Sequence, residues 1–208
     1  MKDELLKALV NLDEEEALAL VEKQIEAGQT PLEIVEICKN GVEIVGKRYS
    51  EGHYFLADLI MAEEILKGIM GIVEPYLSVD VPTNGISIVF GTIEGDIHDL
   101  GKNIMIYLLR SSGFQVYDLG VDVSPEQFVK AVSETGAPIL GISVLLSFCV
   151  GSIKKVVDLL EEAGLREQVK VVIGGYPVNQ TVKEYTGADY YATDVTNAIA
   201  ICRGIIKK

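Results

Sequence analysis

Tryptophan is absent from this chain, histidine occurs twice and cysteine three times, so few side chains are available for chemistry. Cys38, Cys149 and Cys202 are far apart and form no CxxC pair, which argues against a cysteine zinc site or a redox dithiol. They read as reduced, mostly buried thiols of a cytosolic protein. Basic residues are also scarce. The 18 Lys and Arg stand against 31 Asp and Glu, a net charge of −13. Phosphate binding needs clustered cations, so a nucleic-acid partner is not expected. No apolar run reaches bilayer length, and Met1-Lys2-Asp3-Glu4-Leu5 lacks the layout of a secretory signal. A cytoplasmic protein with no membrane role is expected.

What is present falls into two halves with different periods. The 208 residues, about half of them apolar, suit one large domain or two small ones. From about residue 3 to 77 apolar residues recur at helical spacing: Leu6 and Leu9, then Ala17, Val21 and Ile25, then Ile34, Ile37, Gly41, Val45 and Tyr49. Thr30-Pro31 with Glu33 marks a helix start, and another helix is expected over about 56–76. Four helices with short connections predict a small bundle over 1–80. The run Asp13-Glu14-Glu15-Glu16 is either a solvated helix face or a docking surface for a basic partner. Val79 to Gly85 reads as a linker.

Beyond it, short β-branched runs alternate with helical stretches. Strands are expected at 86–91, 115–119, 139–146, 169–173 and 188–192. Helices are expected at about 102–112, from Ser124-Pro125-Glu126, at 152–163 and after Asp194. Five such units over 85–208 predict an α/β, flavodoxin-like, doubly wound parallel sheet. Ligands of such folds sit at the carboxyl ends of the strands, here the loops after residues 91, 119, 146 and 173.

The loop after the first strand, Thr92 to Asn103, holds His98 with Asp96 two residues before it and Asp99 directly after. A ligating histidine needs its second ring nitrogen held by an acceptor, and Asp96 can supply one if the loop curls back. Gly95 and Gly101 leave room for a large group to approach. Taken alone, His98 could be a general base, a single metal ligand or a helix-capping accessory. In the third strand, Ser143, Leu145 and Ser147 fall on one side by the period of two. Ser143 and Ser147 are polar in a run that should be buried, and could simply bond nearby backbone. Gly174-Gly175, after the fourth strand, lets a ligand pass close to the main chain.

The ordered set Asp96-x-His98-x-x-Gly101, Ser143-x-Leu145 and Gly174-Gly175 resembles the signature of cobalamin-binding domains. The stretch from Gly95 to Ile104, and Asp118-Leu119-Gly120-Val121, look like the cobalamin module of methionine synthase. They look equally like the small corrinoid proteins of methanol, methylamine and glycine-betaine methyltransferase systems. Tyr49-Ser50-Glu51-Gly52-His53-Tyr54-Phe55-Leu56 resembles part of the helical cap that precedes that module.

The resemblance implies a bound cobalamin or related corrinoid, base-off and His-on, with His98 below the cobalt and Asp96 holding its ring. It places Gly95, Asp99, Gly101 and Ser147 at the cofactor, and the nucleotide tail beside Ser143, Leu145, Gly174 and Gly175. Tyr49 and Leu56 would cover the upper face; Tyr49 departs from the phenylalanine of methionine synthase. Cys149 stands where that enzyme has a serine completing the His–Asp relay, and a thiol is a weak donor and acceptor, so the relay is expected to stop at Asp96 or to end on water. The function implied is methyl carriage on cobalt, from a substrate-specific methyltransferase to a second one acting on a folate or thiol. A reductive activation protein is a further partner, and the linker at 78–85 would act as a hinge. A subunit of an adenosylcobalamin-dependent mutase, or a cobalamin-sensing module, is the alternative.

Overall fold

The computed structural model describes residues 2–77 and 85–206. The expected hinge at 78–85 lies outside the described residues apart from Gly85. The chain parts into two compact units at residues 78 and 79. No helix among the described residues is long and apolar enough to cross a membrane.

The first unit contains α1 (Lys2–Val10), α2 (Glu14–Glu26), α3 (Pro31–Ser50) and α4 (Leu56–Leu77). Its starts are locally encoded. Asp13 caps α2 by accepting from the Glu16 amide, and Thr30 and Glu33 form a reciprocal capping box with Pro31 at the first turn of α3. Leu5, Leu9, Ala17, Val21, Ile34, Cys38, Val45, Ile65, Ile69 and Val73 make the core. Leu9 lies against Gly41, where a Cβ would meet its side chain. The core face of α1 is Leu5 and Leu9, while Leu6 is only half-buried. Tyr49, expected on the buried stripe of α3, is 44% exposed. Each four-residue step advances about 40° beyond a full turn, so repeated i+4 steps walk off the core face.

The second unit is a five-stranded parallel sheet in the order β2-β1-β3-β4-β5. Its strands are β1 (Ser87–Thr92), β2 (Gln115–Asp118), β3 (Ile139–Ser143), β4 (Lys170–Gly174) and β5 (Tyr190–Ala192). The helices are α5 (Leu100–Ser111), α6 (Pro125–Thr135), α7 (Val150–Glu162), α8 (Gln180–Thr186) and α9 (Val195–Ile206). One face buries Phe128 and Val132 of α6 with Ile153, Val156 and Leu160 of α7. The other buries Met105, Ile106 and Leu109 of α5 with Ala198 and Cys202 of α9. With both faces covered, the strands read as near-continuous apolar runs. The fold is thus a doubly wound α/β unit following a helical bundle. The strand order reverses between β1 and β3, so the crevice at their carboxyl ends is the natural ligand position.

Several elements differ from those expected. β3 ends at Ser143 rather than near residue 146, because Val144 to Leu146 turn away and Ser147–Cys149 form a 3-10 turn that leads into α7. The period of two therefore does not run through Leu145 and Ser147. α5 begins at Leu100, ahead of Lys102. α8 was not anticipated, although Asn179 caps it by accepting from the Val182 amide. Asp194 does cap the last helix, accepting from Asn197 at 2.8 Å.

Candidate functional site

The loop after β1 carries the chemistry, and its shape is set by its own hydrogen bonds. Asp96 is fully buried and donates its amide to the Ile93 carbonyl at 3.1 Å; Gly95 between them is left-handed at φ 84°. The Asp96 carboxylate has both oxygens filled. Oδ1 accepts from the His98 backbone at 3.1 Å and from His98 Nδ1 at 2.6 Å. Oδ2 accepts from the Leu145 and Leu146 amides at 2.6 and 3.0 Å. Burial alone would raise the pKa of this carboxyl, but the N–H donors of Leu145, His98 and Leu146 outweigh it and hold the group below the usual range. Asp96 is thus an anion, Nδ1 carries the proton toward it, and Nε2 is the nitrogen left free. The His98 side chain is 51% exposed.

Thr92, fully buried at the end of β1, donates its hydroxyl to the His98 carbonyl at 3.0 Å. Asp99 occupies the cap position of α5 without a side-chain cap bond, and Asn103 reaches back to its carboxylate. A Cβ at Gly101 would meet nothing within 4 Å, whereas one at Gly95 would lie 3.2 Å from the Cys149 sulfur. The space expected beside both glycines is therefore open only at Gly101.

From β3, Ser143 is half-buried in register with Thr92 and Gly174, and its carbonyl accepts from Ile93 at 3.1 Å. Leu145 is 41% exposed and Ser147 is exposed. Gly175 has φ 128°, and a Cβ there would fall 1.7 Å from the Val144 carbonyl oxygen. The second glycine is required by the chain's own β3–α7 turn. The structure thus gathers Gly95, Asp96, His98, Ser143, Leu145, Gly174 and Gly175 on adjoining strand ends at the β1/β3 switch point.

Comparison with known proteins follows the same division. Residues 86–200 match the B12 binding domain model, and residues 1–74 match a second B12 binding domain model. The chain belongs to the B12-binding corrinoid proteins. It is 36% identical to a corrinoid protein of Desulfitobacterium hafniense, over 99% of this chain and 97% of the relative. It is 35% identical to a dimethylamine corrinoid protein of Methanosarcina acetivorans, also over 99% and 97%. Among solved structures, the Methanosarcina barkeri monomethylamine corrinoid protein aligns with TM-score 0.84 at 30% identity, covering 95% of this chain and 94% of that one.

In this corrinoid protein Cys149 is buried, and its thiol is pushed up by burial and by the charges of Asp96, Asp122 and Glu94. The far end of the His98–Asp96 pair rests on the Leu145 and Leu146 amides. Within the helical unit, Leu56 is 64% exposed, and the turn between α3 and α4 is pinned to α1. Tyr54 donates its hydroxyl to the Val10 carbonyl at 2.6 Å, and Arg48 donates to both.

Sequence reasoning missed the part played by Lys102. Only 3% exposed, it donates to both Asp118 oxygens at 2.9 Å and to Asn103 Oδ1 at 2.7 Å. A signal was present: Lys102 lies on the buried stripe of α5 with Met105, Ile106 and Leu109, and a cation at such a position needs a partner.

Proposed function

We propose that this protein carries a methyl group on corrinoid cobalt between a substrate-specific methyltransferase and a second methyltransferase acting on a folate or thiol, with His98 as the lower cobalt ligand. The observation that carries this reading is the imidazole itself: Nδ1 is locked onto an anionic, saturated Asp96, which leaves Nε2 as the other nitrogen of a half-exposed ring. A carboxylate behind a ligating histidine fixes the tautomer and raises ligand basicity. Among the described residues no three His, Cys, Asp or Glu cluster to hold a bare metal ion. One imidazole suits a metal that arrives with a macrocycle supplying its other ligands.

When bound, the corrinoid supplies the nucleophilic and methyl-accepting cobalt chemistry. The chain supplies the rest. His98 takes the place of the cofactor's own base, and Asp96 keeps the ring oriented. Gly95, Asp99, Gly101 and Ser147 border it, Ser143, Leu145, Gly174 and Gly175 receive the nucleotide tail, and Tyr49 and Leu56 shield the methyl group. The division into a cap at 1–80 and a corrinoid domain at 85–208, hinged between, belongs to the same reading. Relatives named for dimethylamine and trimethylamine, and a solved methanol:cobalamin methyltransferase complex from Methanosarcina barkeri, support a small one-carbon donor held by a partner methyltransferase. A reductive activation protein completes the set of partners.

The test is spectroscopic. Protein loaded with methylcobalamin is expected to show base-off, His-on absorbance, and His98→Ala to lose it. Identical spectra for the two proteins would refute the ligand assignment.

A further inference from the structure

Asp122 is one of two non-glycine residues among those described with a left-handed backbone, at φ 54°. Short polar side chains such as Asp and Asn adopt this conformation more readily than most others. Here it lets the amide and the carboxylate of one residue face the same loop. Asp122 Oδ1 accepts from the Gly95 amide at 2.7 Å, and the Asp122 amide donates to the Asp96 carbonyl at 3.0 Å. The next residue continues the contact: the Val123 amide donates to the Thr92 carbonyl at 3.0 Å, beside the Ile93–Val123 bridge.

Asp96 is thereby gripped twice, by different loops. The β2–α6 loop holds its main chain through Asp122, and the β3–α7 loop holds its side chain through Leu145 and Leu146. Two residues further on, His98 is held at its carbonyl by Thr92. The main chain that Asp122 holds is the one from which the Asp96 carboxylate fills both of its oxygens.

We infer that Asp122 is a positioning residue for His98, clasping Gly95 and Asp96 so that the imidazole is presented to the metal in one orientation. This inference rests on the reading of His98 as the lower ligand. The clasp is a matter of hydrogen-bond geometry at an exposed turn, so its effect belongs in the ligation equilibrium rather than in folding.

Two substitutions separate the clasp from its backbone strain. Asp122→Asn keeps an acceptor oxygen and tolerates the left-handed conformation; Asp122→Gly relieves the strain and removes the acceptor. The probe is methylcobinamide, which lacks a base of its own, so protein imidazole is the nitrogen source read by its absorbance. Losing one hydrogen bond to a carboxylate is expected to weaken ligation in Asp122→Gly by about three- to ten-fold, with Asp122→Asn within about two-fold of wild type. In the ligand-free protein, exchange of the Gly95 amide proton is expected to speed up in Asp122→Gly and to stay slow in Asp122→Asn. Wild-type ligation and exchange in Asp122→Gly overturn the inference, as does an Asp122→Asn protein as weak as Asp122→Gly. His98→Ala is the control. If it still gives the wild-type spectral change, the ligand reading fails, and the positioning of a metal ligand fails with it, whatever the Gly95 exchange shows. If it loses the change while Asp122→Gly keeps it, only the Asp122 inference fails.

Discussion

Lys102→Met and Asp118→Asn break the same ion pair from opposite ends, and the two variants should differ in cost because the partners differ in exposure. Lys102 is 3% exposed at its side chain and Asp118 33%. Without Lys102, the Asp118 carboxylate regains water and keeps the Gly120 amide at 2.9 Å, while a methionine fills the space of the lysine stem. The loss should be modest, about 1–2 kcal/mol. Without the Asp118 charge, the ammonium stays buried with only neutral oxygens, including Asn103 Oδ1. Removing one partner of a buried pair costs about 3–5 kcal/mol, which for a chain of this size lowers the melting temperature by roughly 10 °C. The double variant removes the stranded charge and should be more stable than Asp118→Asn alone by about 1–2 kcal/mol. Calorimetry of the ligand-free protein reads the transitions, and hydrogen exchange at the β1 amides assigns them to the sheet unit. Equal costs for the single variants, or a double variant less stable than Asp118→Asn, would refute this account.

Asp96→Asn replaces an acceptor of four N–H donors by a group that must turn its own NH2 toward two of them. The expected loss is about 2–3 kcal/mol in urea unfolding of the ligand-free protein, and a variant as stable as wild type would show that the carboxylate is not the clamp described. Burial pushes the Cys38 thiol up to about 12, so it should resist disulfide-exchange reagents at pH 8 until urea unfolds the helical unit. The unfolded thiol titrates at about 8.5, so the stability tied to the protonated thiol is complete below that pH and falls as pH rises toward 12. Rapid labelling of native Cys38, or stability that rises across this window, would contradict its burial.

Residues close in the chain announced much of this protein. Thr30 with Glu33, and Ser124 with Gln127, form the caps that start α3 and α6, because a cap is satisfied by amides three residues away. The change from helical to alternating strand–helix segments marked the parallel sheet, since strands buried on both faces must be apolar throughout. His98 and Asp96 stood out because a two-residue spacing lets a curled loop join them, and they do meet at 2.6 Å.

The rest depended on partners the chain reaches only by folding. Which groups fill the second Asp96 oxygen is decided by amides 49 and 50 residues downstream, brought alongside when β1 pairs with β3. Nothing near Lys102 in the chain indicates Asp118, and only the β2–β1 pairing brings that carboxylate to the start of α5. Gly175 looked like an opening for a ligand, but its own neighbour Val144 requires the missing side chain. Local spacing determined which residues could act, because caps, periods and loop chelation are short-range. Strand order determined what each of them touches, because a parallel sheet joins residues through crossovers that leave no mark on their immediate neighbours.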